Sequence, residues 1–169
     1  LKIDLTKALE AAQHSKWALR KLNFALAVGI PFNSPHSIRI HKVENDAVIT
    51  TIPYKRKNMN HIRCIHACGL ATAAEFCSGI VLLRKLGAER YRLIMQSIEV
   101  TYTYQAKNDA FARFELTEEQ FQAEVMGPLG KEGVVYFKCE IPVHDSARNL
   151  VCTVYTNWQI KRWSDVRTK

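Results

Sequence analysis

Apolar residues in positions 4–26 fall at Leu5, Leu9, Ala12, Leu19, Leu22 and Leu26, with Trp17 and Phe24 adding bulk. This is mostly the spacing of one helical face. Pro31 and Pro35 end it, and "GIPFNSP" reads as a loop. Two short runs, Ser37 to Val43 and Ala47 to Tyr54, read as strands joined by a turn at Glu44-Asn45-Asp46. A basic loop, Lys55 to Asn60, leads into an apolar helix expected from about Cys64 to Leu86 and stopped by Gly87.

After Gly87 the period changes to two. Ile98, Val100, Tyr102 and Tyr104 alternate with Glu99, Thr101 and Thr103, and Ala110, Ala112, Phe114 and Leu116 share one face of the next run. Thr117-Glu118-Glu119-Gln120 fits a capping box opening a short helix, which "MGPLGKEG" is expected to break. Val135 to Val143 and Leu150 to Ile160 then alternate as half-buried antiparallel strands.

A helix apolar almost all round must be covered on every side. The pattern therefore predicts an α+β fold: an antiparallel sheet of about six strands wrapped around one long apolar helix, with an N-terminal helical arm. It reads as one domain over residues 1–169, with the arm at 1–30 and the core at 31–169. A second subunit is expected to cover what the sheet leaves open.

Composition changes this picture little. The 169 residues suffice for one domain with its own core, and 47% hydrophobic with 24% charged residues is the balance of a globular chain. The five cysteines (64, 68, 77, 139 and 152) are odd in number and mostly in apolar surroundings, which suits reduced thiols and a cytoplasmic setting. No basic start followed by an apolar stretch and a cleavage site is visible. The seventeen-residue apolar run Ala67 to Leu83 carries Glu75 near its middle, so a buried helix is expected and no membrane partner. A formal charge of +8 suits anionic partners without choosing among them.

The candidate chemistry lies in "NHIRCIHACGLATAAEFCSG", residues 60–79. His61, Cys64, His66 and Cys68 are metal-ligand types, but they are bunched and no second pair answers them, which argues against zinc. A thiol at a helix start has a lowered pKa, yet Cys68 and Cys77 lie along the apolar run. The third option is the helix itself. Free N–H groups at its start, near Asn60 and His66, can hold a carbonyl oxygen or oxyanion. Glu75 in its apolar body is either a general acid or base raised by burial, or a structural carboxylate paired with a buried donor. Nine residues along one helix set His66 and Glu75 about 13.5 Å apart and on opposite faces. A two-fold partner is therefore needed to bring them to one substrate.

This stretch resembles the hotdog-fold thioesterases, specifically the acyl-CoA group related to the phenylacetate-pathway thioesterases. That group carries an Asn, a His-Gly-Gly turn six residues later, and an acid nine beyond the His; Asn60, His66 and Glu75 fall at those spacings. The wider run "IPFNSP…IPYKRKNMNHIRCIHACGLATAAE" looks closer still to a bacterial hotdog subgroup of unknown function with a preceding helical arm. The resemblance covers roughly residues 25–163 in element order and is specific over 53–80. It implies hydrolysis of an acyl-CoA thioester, no cofactor and no metal, and a homodimer or dimer of dimers with the site at the interface. Glu75 would be the general base or the nucleophile, and the Ala67 N–H would polarise the carbonyl. His66 and Asn60 would orient the turn or contact thioester or water. A strand hydroxyl would fall near Ser97, and Lys57 and Arg63, with Lys55 and Arg56, would meet the phosphates of coenzyme A. Two departures stand out: the paired glycines are Ala67 and Cys68, and Glu replaces the Asp of many relatives.

The first departure favours the alternative of a non-catalytic acyl-CoA-binding module. The His-to-acid spacing and the lack of a nearby Pro-Gly turn argue against a hotdog hydratase or dehydratase. No nucleic-acid partner is expected, since the aromatic residues fall mainly on strand faces and in the arm and no RNA or DNA motif is found.

Overall fold

The computed structural model describes residues 4–166. The arm is two helices where the apolar spacing predicts one: α1 (Leu5–His14) and α2 (Lys16–Gly29). Ser15 divides them. Its backbone is extended (φ −139°, ψ 118°), and its hydroxyl accepts the Ala18 N–H to cap α2. Leu9, Ala12 and Leu22 are buried beneath the arm.

Six strands form one antiparallel sheet: β1 (Arg39–Val43), β2 (Ala47–Ile52), β3 (Tyr91–Tyr102), β4 (Ala110–Glu115), β5 (Val134–Asp145) and β6 (Leu150–Arg162), in the order β1-β2-β4-β5-β6-β3. Strict alternation along β5 and β6 turns Val135, Phe137, Cys139, Ile141 and Val143 inward with Cys152, Val154, Thr156, Trp158 and Ile160. The segment between β4 and β5 opens with the expected capping box at Thr117 and Gln120. It then stays helical through "MGPLGKEG", against expectation. α4 (Glu118–Gln120) runs through a π-helical stretch (Phe121–Met126) into α5 (Gly127–Glu132). Pro128 stands at the second position of α5, where the π-helical stretch gives way to the α-helix.

The inward faces wrap α3 (Ala67–Leu86). Leu70, Phe76, Cys77, Ile80, Val81, Leu82 and Leu86 are buried, each worth roughly 1.5–3 kcal/mol for the larger side chains. Polar stitches fix the helix in register. Thr50 donates to the Ala73 carbonyl (2.6 Å), Cys77 Sγ to the Val48 carbonyl (3.0 Å), and Trp158 Nε1 to Ser78 Oγ (3.1 Å). α3 is long and apolar enough to cross a membrane by length and composition. Here the sheet takes that apolar surface instead.

The two sheet edges differ. At β1 the Asn23 carboxamide from α2 occupies both backbone groups of Ile40, donating to its carbonyl (2.8 Å) and accepting its N–H (2.9 Å). Among the described residues β3 has only β6 beside it, and Ile94, Met95, Ile98 and Tyr102 are exposed along it. Asn23→Ala leaves both groups of Ile40 without their partner. Unfolding in urea is expected to show a loss of roughly 1–3 kcal/mol with an unchanged m-value.

Candidate active site

The helix start is built by the loop before it. α3 begins at Ala67 rather than near Cys64, because residues 59–65 fold into a tight turn first. Asn60 Oδ1 accepts the N–H groups of Ile62 (3.1 Å) and Cys64 (3.0 Å), while Met59 bridges Ile65. The Asn60 oxygen is thus committed to the turn. Arg63 closes it at φ 59°, with its carbonyl accepting the Tyr54 hydroxyl (2.7 Å).

His66 is the N-cap of α3. Its Nδ1 accepts the Cys68 N–H (3.2 Å), which places the ring proton of the neutral imidazole on Nε2. The Ala67 N–H, first of the helix's free donors, has no hydrogen-bond partner among the described residues. On the other side of this residue the Tyr102 hydroxyl donates to the Ala67 carbonyl (3.0 Å), so the end of β3 is tied to the first turn.

Asn58 is the positioning residue that the sequence reading missed. It is buried, its amide donates to the carbonyls of Pro53 (2.8 Å) and His36 (2.9 Å), and its side-chain oxygen meets His36 Nδ1 (3.1 Å). Its own carbonyl accepts the His66 N–H (2.8 Å). An Asn two residues from the motif carries no periodic signal; only the folded loop separates it from Asn60. A cavity of about 280 Å³ opens here, lined by Phe32, His36, Lys57, His66, Cys68 and Thr72.

Glu75 lies elsewhere. It is half-buried on α3, and its carboxylate has no ion-pair or hydrogen-bond partner among the described residues. Burial alone pushes its carboxyl above the ordinary range. It borders a second, mainly apolar cavity of about 470 Å³ formed by Phe76, Gly79, Ile80, Leu83, Tyr91 and Trp158. His66 and Glu75 therefore line different cavities of one chain, as their helical spacing requires.

The remaining predicted residues scatter. Lys57 donates to Ser37 Oγ (3.0 Å) at the rim of the smaller cavity, and Arg63, six residues on, is exposed and does not line it. Ser97 pairs with Asn157 on the sheet's outward face, just past a bulge at Gln96. Cys77, Cys139 and Cys152 are buried, and burial pushes each thiol up to about 12, which suits packing rather than nucleophilic chemistry. Among the described residues no three of His, Cys, Asp and Glu gather as metal ligands.

Comparison with solved structures places this architecture. A Pseudomonas aeruginosa protein of unknown function, PA5026, described as a probable thioesterase, aligns over 90% of this chain and 95% of its own at 22% identity, with a TM-score of 0.76. The Haemophilus influenzae thioesterase HI1161 aligns over 89% and 94% at 14% identity (TM-score 0.69). A variant of the Staphylococcus aureus thioesterase SAV0944 aligns over 78% and 98% at 11% identity (TM-score 0.63). These likenesses establish the hotdog fold. No curated protein matches the chain. The family model described as "Domain of unknown function (DUF4442)" matches residues 19–160, and the chain accordingly belongs to that family.

Proposed function

We propose that the protein hydrolyses an acyl-CoA thioester at a site completed across a two-fold dimer. The observation that carries this reading is Glu75: a half-buried carboxylate with no partner among the described residues, beside an apolar cavity, on the flank of α3 next to the open edge strand. A structural carboxylate would be paired; a working base needs a free lone pair and a raised pKa. The thioesterase names of several structural neighbours agree with this chemistry.

In the proposed reaction the thioester carbonyl oxygen sits on the Ala67 N–H at the positive end of α3. Glu75 of the partner subunit takes a proton from water, whose oxygen attacks the carbonyl carbon. The oxyanion of the tetrahedral intermediate rests on the Ala67 N–H. Its collapse breaks the carbon–sulfur bond, and the leaving thiolate recovers the proton from Glu75. His66 Nε2–H and the Asn60 amide remain to orient water or thioester. The acyl group occupies the cavity beside Glu75, and Lys57 and Arg63 meet the phosphates. Ser97, turned to the outer face, takes no part.

Glu75→Gln is expected to lower kcat by about 10²–10⁴ with the dimer intact. Its stability should move the other way. A carboxyl raised by burial favours the protonated form in the folded state, so wild-type stability falls as pH rises from the ordinary carboxylate value through the raised one. The variant should therefore melt higher than wild type at neutral pH, with the gap closing below the ordinary carboxylate range. Retained thiol release would overturn the assignment. Wild-type kcat/KM should fall on the acid side along a limb set above the ordinary carboxylate range, because the base works deprotonated.

Ala67→Pro isolates the oxyanion donor. Proline suits the first helical position, and the His66 backbone (φ −61°, ψ 136°) already has the conformation that precedes proline. The substitution removes the N–H and little else. kcat is expected to drop by about 10²–10³ while circular dichroism and melting temperature stay near wild type.

A further inference from the structure

The arm carries an apolar surface that nothing among the described residues covers. Trp17, Phe24 and Val28 on α2 are 63%, 74% and 55% exposed, and Phe32 just beyond is 69% exposed. Positions 17, 21, 24 and 28 follow i, i+4, i+7 and i+11, so they form a single stripe along the helix. The fourth member is Lys21, whose ammonium lies 5.1 Å from the centre of the Trp17 ring. Lys16 and Arg20 are exposed beside it. The opposite face of α2 is the one already used, with Leu22 buried and Asn23 bonded to β1.

Charge decides what covers such a stripe. From Ala11 to Val43 the chain has no Asp or Glu, while Lys16, Arg20, Lys21, Arg39 and Lys42 fall within it. A second copy docking stripe to stripe brings together two surfaces that each carry Lys16, Arg20 and Lys21 with no acid among them, and like net charge repels. A surface of anionic headgroups neutralises them. Exposed Trp and Phe between Lys and Arg is the composition of a helix lying in a bilayer interface, with apolar rings in the acyl boundary and cationic heads at the phosphates.

We propose that α2 docks the protein on an anionic lipid bilayer, with Trp17, Phe24 and Val28 entering the interface and Lys16, Arg20 and Lys21 contacting headgroups. The expectation of no membrane partner came from the burial of α3 and concerns a spanning helix, whereas this contact is peripheral. The stripe leads toward Ile30 and Phe32, which border the 470 and 280 Å³ cavities respectively. Docking would thus set both cavity mouths near the lipid. The proposal stands apart from the chemistry at Glu75.

The test is flotation of the full-length protein with vesicles of phosphatidylcholine alone and vesicles in which phosphatidylglycerol replaces part of it. Wild type should float with the anionic vesicles, less with the neutral ones, and less again as salt rises. Phe24→Ser should weaken anionic binding by about tenfold. Replacing Lys16, Arg20 and Lys21 together by Gln should weaken it on the order of a hundredfold. Failure of wild type to float with anionic vesicles overturns the proposal. So does unchanged flotation of both variants, or a Phe24→Ser protein that keeps its vesicle binding but sediments as a smaller assembly, which would assign the stripe to a second copy. Thiol release by the variants in solution, without vesicles, should equal wild type.

Discussion

Everything in this molecule follows from the need to dry a helix that is apolar around most of its circumference. α3 cannot rest on a flat layer, because a flat sheet covers one face of a helix only. The strands must curl, and their inward residues must match the helix turn by turn. Thr50, Ser78, Thr156 and Trp158 show how narrowly that match is drawn, since each is buried and both Thr156 and Trp158 close on the Ser78 hydroxyl. The curl leaves one flank to the edge strand β3. That flank is where the chain places its unpaired acid, Glu75.

The other end of the proposed chemistry depends on backbone rather than burial. A helix N-terminus holds an oxyanion only if its first N–H is kept free and aimed. Here the keeping is done by neighbours of Ala67: the His66 ring takes the next N–H, Asn58 holds the His66 backbone, and Tyr102 holds the Ala67 carbonyl. Ile65 donates to the Ala106 carbonyl (2.8 Å), and Asp109 accepts the Tyr54 N–H (2.7 Å), so the loop after β3 braces the motif loop. Segments far apart in sequence therefore set one donor.

Much of the fold was legible in the sequence, for reasons that differ by element. The strands announce themselves by alternation and α3 by its unbroken apolar run, so the wrapped architecture and the role of Gly87 follow directly. His66 at the start of α3 was legible as well. The break at Ser15 was not, because a Ser among helix formers reads as interior until its extended backbone is seen. The helical turn at Pro128 was hidden for the converse reason: Pro and Gly mark breaks, and only the structure shows the π-helical stretch carrying the chain through them. Asn58 and Tyr102 act through single long-range hydrogen bonds, which leave no periodicity to read. Ser97 shares the outward face of Glu99, Thr101 and Thr103, as the alternation along β3 indicates, and the bulge at Gln96 shifts only the residues before it.

The unequal sheet edges limit how copies of this chain can add to one another. Sheet extension is a growth process, and a monomer with two open edges grows without end. At β1 the Asn23 carboxamide fills the hydrogen-bonding positions of Ile40 that an incoming strand would need. Pairing is left to β3 alone, and two chains joined there present only filled edges to the solvent. A single side-chain amide, lining neither cavity, thus acts as a chain terminator, and any larger assembly has to be made through faces.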